Sequence, residues 1–298
     1  AGGKTQLLPT IDSFLPETFR HEYDVTYIEP FVGGGAMLFF MLQKYPNIKR
    51  AIVNDINPHL IKTYTVIRDE PFSLIGTLNE LQNTFKSFVE YDQQKDFYLN
   101  IRNRFNQSQL TDVEEAAYMI FLNRTCFNGL YRENSKGGFN VPFGRYANPT
   151  ICDEELILAD SELLQKVELL NGDFSHTAEH VQGYTFFYFD PPYRPLDATS
   201  SFNSYVKESF DDNEQIRLKD FYSNLSAGGC FAMLSNSDCK GRNVEDDFFD
   251  KLYEDFFIER VYAKRCINAN ATKRGTLTEL LIRNYENYQG EPTNLFNS

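Results

Sequence analysis

The sequence predicts an α/β fold: one mostly parallel sheet, interrupted after its second strand by a mostly helical insertion. Three observations predict it. Residues 25–55 read as strand, glycine turn, helix, strand and acid, one half-unit of a dinucleotide-type fold. Residues 58–123 then run as successive helical patterns, which breaks the β-α alternation. From 153 to 283 strands and helices alternate again, around the aromatic run Tyr184-Thr185-Phe186-Phe187-Tyr188-Phe189.

Val25-Thr26-Tyr27-Ile28-Glu29 is short and apolar enough for a buried strand. Pro30, Phe31, Val32 and the glycines at 33, 34 and 35 form the turn after it, where backbone can approach a ligand closely. A helix is expected over 36–44 and a second strand over 50–55. Asp55 follows Gly35 by 20 residues, the spacing of an acid that meets the ribose hydroxyls of a nucleotide-like cofactor. A glycine turn alone is as often an ordinary strand–helix connection; the acid at this distance raises it above that. No Lys-Ser/Thr closes the turn, so a P-loop is excluded.

Helical segments are expected over 58–69, 72–89, 93–106 and 112–123, with Asp112 capping the last. The run 123–146 carries two turn signals, Asn128-Gly129 and Lys136-Gly137-Gly138, flanked by aromatics. It predicts a hairpin-like loop. A helix over 153–165, a strand over 167–170, the turn Asn171-Gly172-Asp173-Phe174 and a helix over 175–182 follow. After the aromatic strand at 184–189, residues 194–206 are serine-rich and expected to form a mobile loop. A helix over 212–226, a strand over 230–234 with Ser235-Asn236-Ser237-Asp238 behind it, a helix over 244–253 and strands at 257–262 and 277–283 complete the pattern. Residues 286–298 read as a loose tail.

Asp190-Pro191-Pro192-Tyr193 is the organising motif. Two prolines cannot continue a ladder, and they hold the preceding residues extended. The Asp190 carboxylate and the Pro191 carbonyl are thereby set in a stiff crook at a strand's C-terminal edge, where α/β sheets bind ligands. They offer acceptors to an exocyclic amine, and Tyr193 offers a face to a planar base such as adenine or cytosine. The bland alternative is a proline-marked strand exit.

Bulk properties exclude several classes. The 298 residues are 42% apolar and 24% charged, and no run of about 18 apolar residues would span a membrane. Ala1-Gly2-Gly3-Lys4 shows no signal-peptide pattern and does not begin with Met, so residues are expected before Ala1. Cys126, Cys152, Cys230, Cys239 and Cys266 form no CxxC, which argues for a reducing cytoplasm and against a zinc site or a disulfide framework. None sits in a Pro-Cys turn, so no cytosine-C5 nucleophile is present. His176 and His180 share a helical face without further ligands, and no metal is expected. The net charge of −13 argues against a protein that simply coats nucleic acid. Residues 1–150 hold 15 basic against 16 acidic side chains, and 151–298 hold 14 against 26. Arg124, Arg132, Lys136 and Arg145 against Glu133 alone make 124–146 a local basic patch.

These motifs resemble a known family. Asp190-Pro191-Pro192-Tyr193 looks like the catalytic motif of amino-directed, S-adenosylmethionine-dependent methyltransferases, and Glu29-Pro30-Phe31-Val32-Gly33-Gly34-Gly35 like their cofactor motif. The order of glycine motif, insertion and catalytic motif resembles the α group of DNA adenine-N6 methyltransferases. Asn128-Gly129-Leu130-Tyr131-Arg132 through Gly138-Phe139-Asn140-Val141-Pro142-Phe143-Gly144-Arg145-Tyr146 resembles the recognition hairpin of the GATC-directed Dam family. Ala1-Gly2-Gly3-Lys4 matches that family's N-terminal motif.

The resemblance, over residues 1 to about 285, implies a Rossmann-like methyltransferase sheet formed by 1–57 and 150–298. It implies a DNA target-recognition domain at 58–149 carrying a β-hairpin. Lys4, Phe31, Gly33, Gly35, Asp55, Asp173, Phe174 and Asp190 would bind S-adenosylmethionine. Asp190, Pro191, Pro192 and Tyr193 would be catalytic. Phe127 would enter the base stack where adenine leaves, and Arg132 would read guanine. Asn128, Leu130, Pro142 and Tyr146 would contact bases or backbone, with Arg124, Asn140 and Arg145 in the same DNA-facing run. The expected activity is methylation of adenine N6 in GATC duplexes by a cytoplasmic monomer, with a cognate restriction endonuclease as a further partner. An RNA base-amine methyltransferase and a catalytically silent DNA-binding protein are the alternatives. Arg132 argues for DNA, because side chains cannot read the deep major groove of A-form RNA.

Overall fold

A computed structural model describes residues 4–107, 109–194, 210–241, 243–263 and 277–286. The strands are β1 (Val25–Glu29), β2 (Ile48–Asp55), β3 (Val167–Asn171), β4 (Tyr184–Phe189), β5 (Phe231–Ser237), β6 (Phe257–Ala263) and β7 (Leu277–Arg283). They form one seven-stranded sheet in the order β3-β2-β1-β4-β5-β7-β6. The first five strands pair in parallel, and β7 runs antiparallel between β5 and β6. The order reverses between β1 and β4, which opens a crevice beyond their C-terminal ends.

Helices α1 (Leu8–Ser13), α2 (Glu17–His21), α3 (Ala36–Lys44), α4 (Pro58–Asp69), α5 (Pro71–Ser87), α6 (Tyr91–Gln107), α7 (Asp112–Thr125), α8 (Glu154–Leu164), α9 (Asp212–Ala227) and α10 (Phe248–Leu252) surround it. The period of two in β4 divides its aromatics between the two faces. Phe186 and Tyr188 join Leu38, Met41 and Val53 in one core; Phe187 and Phe189 join Leu218, Tyr222 and Phe249 in another. Each fully buried ring contributes about 1.5–3 kcal/mol of apolar transfer. Helices α5 to α7 have a core of their own around Leu78, Phe85, Tyr98 and Phe121, which extends to Phe139 and Val141. Helix α4 serves both, with Ile61 and Tyr64 against the sheet and Val66 against the helices. Among the described residues no helix is long and apolar enough to cross a membrane.

Several elements differ from the expectation. β5 continues through Ser237, so Ser235-Asn236-Ser237 lie in the sheet rather than behind its end. Their polar groups are satisfied there because β7 pairs along that stretch, Ser235 opposite Leu281 and Ser237 opposite Glu279. The cap of α7 is Thr111, whose side chain accepts from Glu114 N in a reciprocal capping box; Asp112 is already helical. The 123–146 run forms no regular ladder, only isolated antiparallel bridges Cys126–Phe143 and Glu133–Phe139, after a single 3-10 turn at Phe127–Gly129. Its arms are held by side chains instead: Asn106 bonds the backbone of Phe139 from both sides of its amide, and Tyr98 donates to Val141 O. Phe174–His180 is 3-10 rather than α, α10 is shorter than its pattern, and α1 and α2 are too short to show a period. The expected mobile loop, except Arg194, lies outside the described residues, as do Cys266 and the tail beyond 286.

Candidate active site

The crevice is a cavity of about 780 Å³ at the C-terminal ends of β1, β2, β3 and β4. Phe31 and Gly33, Asp55, Asp173 and Phe174, and Asp190 to Pro192 all line it, together with Arg217 and Glu214 of α9. Residues far apart in sequence meet here because parallel strands present all their exits at one edge.

The Asp190–Tyr193 crook is pinned on both flanks. Gln215, fully buried, donates to Pro192 O at 3.1 Å, and Ser237 Oγ donates to Arg194 O at 3.0 Å. Arg194 itself bridges Asp212 and Asp246. Ser235 Oγ lies 3.4 Å from Asp190 Oδ1 and 3.0 Å from the Tyr188 hydroxyl. Tyr193 Oη donates to Glu279 Oε2 at 2.8 Å, so the ring is anchored through its hydroxyl.

Asp55 closes the glycine turn. It accepts from Gly33 N at 3.1 Å and from Asn57 N at 2.9 Å, while burial raises its pKa against those bonds. Gly33 has φ 47° and borders the cavity. Gly35 does something else: it caps α3 with φ 71°, and a Cβ there would stand 2.6 Å from Tyr64 Oη. Its glycine is required by packing, not by an approach to the cavity. Lys4 begins the 3-10 turn Lys4–Gln6 beside α3.

The Asp173–Phe174 turn is occupied by a neighbour. Arg217 grips Asp173 with two bonds of 2.9 and 2.7 Å and lies 4.0 Å above the Phe174 ring. That guanidinium, followed by the Ser175 hydrogen bonds, holds the Asp173 carboxyl well below the usual carboxylate range despite partial burial. Phe174 is itself buried beneath Phe31, 5.3 Å between ring centres.

Glu29 lies behind this surface, 2% exposed, and accepts from Tyr27 Oη at 2.5 Å. Burial pushes its pKa up to about 8; Tyr27 opposes the shift and the Asp190 charge adds to it.

The DNA-facing candidates are gathered on the 123–146 loop. Phe127 is 52% exposed and Leu130 42%, with Asn128 between them at φ 55°. Arg132 is exposed and its guanidinium is oriented by Asn140, through Oδ1 at 2.7 Å and the carbonyl at 3.2 Å. Pro142 O accepts from Phe127 N, and Gly144 N donates to Thr125 O, so the two arms meet at the base of the loop. Arg124, Arg145 and Tyr146 are exposed beside it, Arg145 over the Tyr91 ring. Within the loop the Tyr131 phenol donates to Glu133, and its ring packs on Phe139.

Comparison with known proteins agrees in kind. Residues 1–267 match the model of D12 class N6 adenine-specific DNA methyltransferases. The chain belongs to that family. It is 49% identical over 288 residues to the Type II methyltransferase M.MjaIII of Methanocaldococcus jannaschii, covering 96% of this chain and 97% of that one. It is 39% identical to the Type II methyltransferase M1.LlaDCHI of Lactococcus lactis subsp. cremoris, over 96% and 94% of the two chains. It is 33% identical to the DNA adenine methylase of Vibrio cholerae, over 94% and 92%.

In this D12-class enzyme the seven-stranded sheet is the Rossmann-like methyltransferase sheet, and the family implies S-adenosylmethionine as cofactor. The residues that sequence reasoning missed are Arg217, Gln215 and Glu279, which reach Asp173, Pro192 and Tyr193 from other elements, and Glu214, which lines the cavity from α9. Glu29 was legible only as part of the glycine-turn motif.

Proposed function

We propose that this enzyme transfers the methyl group of S-adenosylmethionine to N6 of an adenine flipped out of a GATC duplex. One observation carries the reading. A single cavity at the strand ends holds Asp190 and Pro191 together with Gly33 and Asp55.

The lining fits the cofactor. Its volume is that of a small-molecule site, and Asp55, Asp190 and Glu214 supply negative charge to a cationic ligand and acceptors to its hydroxyls. Phe31, over Phe174, supplies an apolar wall for a base. When bound, S-adenosylmethionine supplies a methyl group activated by the sulfonium charge, so the chemistry asks for no metal.

The chain's own residues do the rest. Asp190 and the Pro191 carbonyl accept hydrogen bonds from adenine N6, which draws its lone pair out of ring conjugation and aims it across the cavity; as N6 gains the methyl that the sulfonium sulfur releases, the proton it sheds leaves along the Asp190 hydrogen bond. Tyr193 stacks on the base. Because the crook is fixed before the base arrives, catalysis is positioning and electrostatic fit. Phe127 fills the gap in the stack and offsets an unstacking cost of about a few kcal/mol. Arg132, held flat by Asn140, reads guanine O6 and N7, a contact that discriminates by about 1–3 kcal/mol. Asn128, Leu130, Pro142 and Tyr146 complete the contact to bases and backbone, and residues 58–149 act as the recognition unit.

The Type II names of two relatives support a cognate restriction endonuclease as a partner. A monomer in the cytoplasm belongs to the same proposal. The test is incubation with labelled S-adenosylmethionine and GATC, scrambled-site or RNA duplexes. Label is expected in GATC DNA; label only in RNA, or equal label in the scrambled duplex, refutes the reading.

A further inference from the structure

Strand β7 carries a buried acid that the reaction as proposed leaves unused. Glu279 is 7% exposed and lies opposite Ser237 of β5 and Val261 of β6. Because β7 runs antiparallel, its early residues stand beside the C-terminal end of β5, the edge at which the crook leaves the sheet. Glu279 Oε2 there accepts the Tyr193 hydroxyl at 2.8 Å.

The geometry makes this bond an orientation device. On either side of Tyr193 the backbone is already held, Pro192 O by Gln215 and Arg194 O by Ser237. Tying Oη to a strand of the sheet adds a fixed point at the far end of the side chain, which sets both of its torsions. Burial, then the charges of Asp190 and Glu279, keeps the phenol protonated far above its ordinary range, so the donor persists.

We propose that Glu279 is a positioning residue for methyl transfer: by accepting the Tyr193 hydroxyl it holds the ring in the plane that stacks on the target base. The inference rests on the stacking role proposed for Tyr193. Its signature is coupling. The action proposed for Glu279 runs through the Tyr193 hydroxyl, so the two losses are expected to overlap rather than add.

The experiment is a double-mutant cycle on the full chain, read by single-turnover methylation and by the fluorescence of a duplex with 2-aminopurine at the target position. Tyr193→Phe and Glu279→Ala each slow transfer by about tenfold, the scale of one hydrogen bond to a charged group, and each changes the fluorescence of the bound base. The double variant falls no further than the slower single, the KM for cofactor stays as in the wild type, and Glu279→Gln, which keeps an acceptor, recovers most of the rate. A double variant slowed by the product of the two single effects overturns the inference. Should Glu279→Ala not fold, Tyr193→Phe decides: wild-type rate and fluorescence in it overturn the inference. Tyr193→Ala separates the two levels. A normal rate there removes the stacking role itself, whereas a loss there with additive Tyr193→Phe and Glu279→Ala removes Glu279 alone.

Discussion

Replacing Glu29 by glutamine is expected to stabilise the fold, and to do so far more at pH 8 than at pH 5. The carboxyl is 2% exposed, and its pKa stands at about 8 against 4.5 for an ordinary glutamate. Burial is the main cause, and the neighbouring Asp190 charge adds to it. The folded chain therefore holds a proton that the unfolded chain releases. The stability conferred by that proton is complete below pH 4.5, declines as the unfolded state ionises, and is gone once pH passes about 8. Three pH units at about 1.4 kcal/mol each give a difference of about 4 kcal/mol between the two conditions. Glutamine is nearly isosteric, cannot ionise, and still accepts from Tyr27, so the variant escapes the decline. Urea unfolding of both proteins at pH 5 and pH 8 measures it. An equal difference between variant and wild type at the two pH values would falsify a proton held on Glu29.

Asp190→Ala is expected to keep DNA binding, measured by gel shift, and to lose methyl transfer; residual turnover near that of the wild type removes its role at N6. Arg132→Ala should relax discrimination at the guanine by about 1–3 kcal/mol, read as methylation of single-substitution sites by restriction protection. If every substituted site keeps its wild-type ratio to GATC, Arg132 does not read a base. Gly35→Ala must seat a Cβ 2.6 Å from Tyr64 Oη at φ 71°, a clash and a strained backbone together worth about 2–5 kcal/mol. A thermal midpoint equal to that of the wild type contradicts the packing. Asp55→Asn should raise the KM for cofactor by about tenfold with little change in kcat, since it removes a charge from the binding wall and not from the reacting atoms; an unchanged KM sinks its place there.

The strands and most helices were legible because their signal is local. The apolar aromatic run in 184–189 and the glycines after β1 state their structure within a few residues, and Asp55 follows at a fixed spacing. The same locality explains the errors. Thr111 and Asp112 are both competent caps, and only the geometry of the turn chose Thr111. Ser235 to Ser237 read by composition as lying behind the strand, and only the presence of β7 alongside makes them sheet. The 123–146 run advertises a hairpin through its turns. Its arms are pinned by Asn106 and Tyr98 from α6, side chains that no reading of the loop itself would include.

The sequence by itself determined the motifs, their order and hence the family: Asp190-Pro191-Pro192-Tyr193 as a stiff strand exit, the glycine turn with Asp55, and a loop of exposed aromatics and arginines. These are properties of consecutive residues, set by proline geometry, glycine freedom and periodicity. The tertiary structure decided which distant residues hold the motifs in place. Arg217 reaches Asp173, Gln215 reaches Pro192, and Glu279 reaches Tyr193 only after the chain has crossed the sheet. Such contacts depend on strand order and on the antiparallel return of β7, and no local pattern encodes them. The motif residues are written in the sequence, and the side chains that contact them from other elements are supplied by the fold.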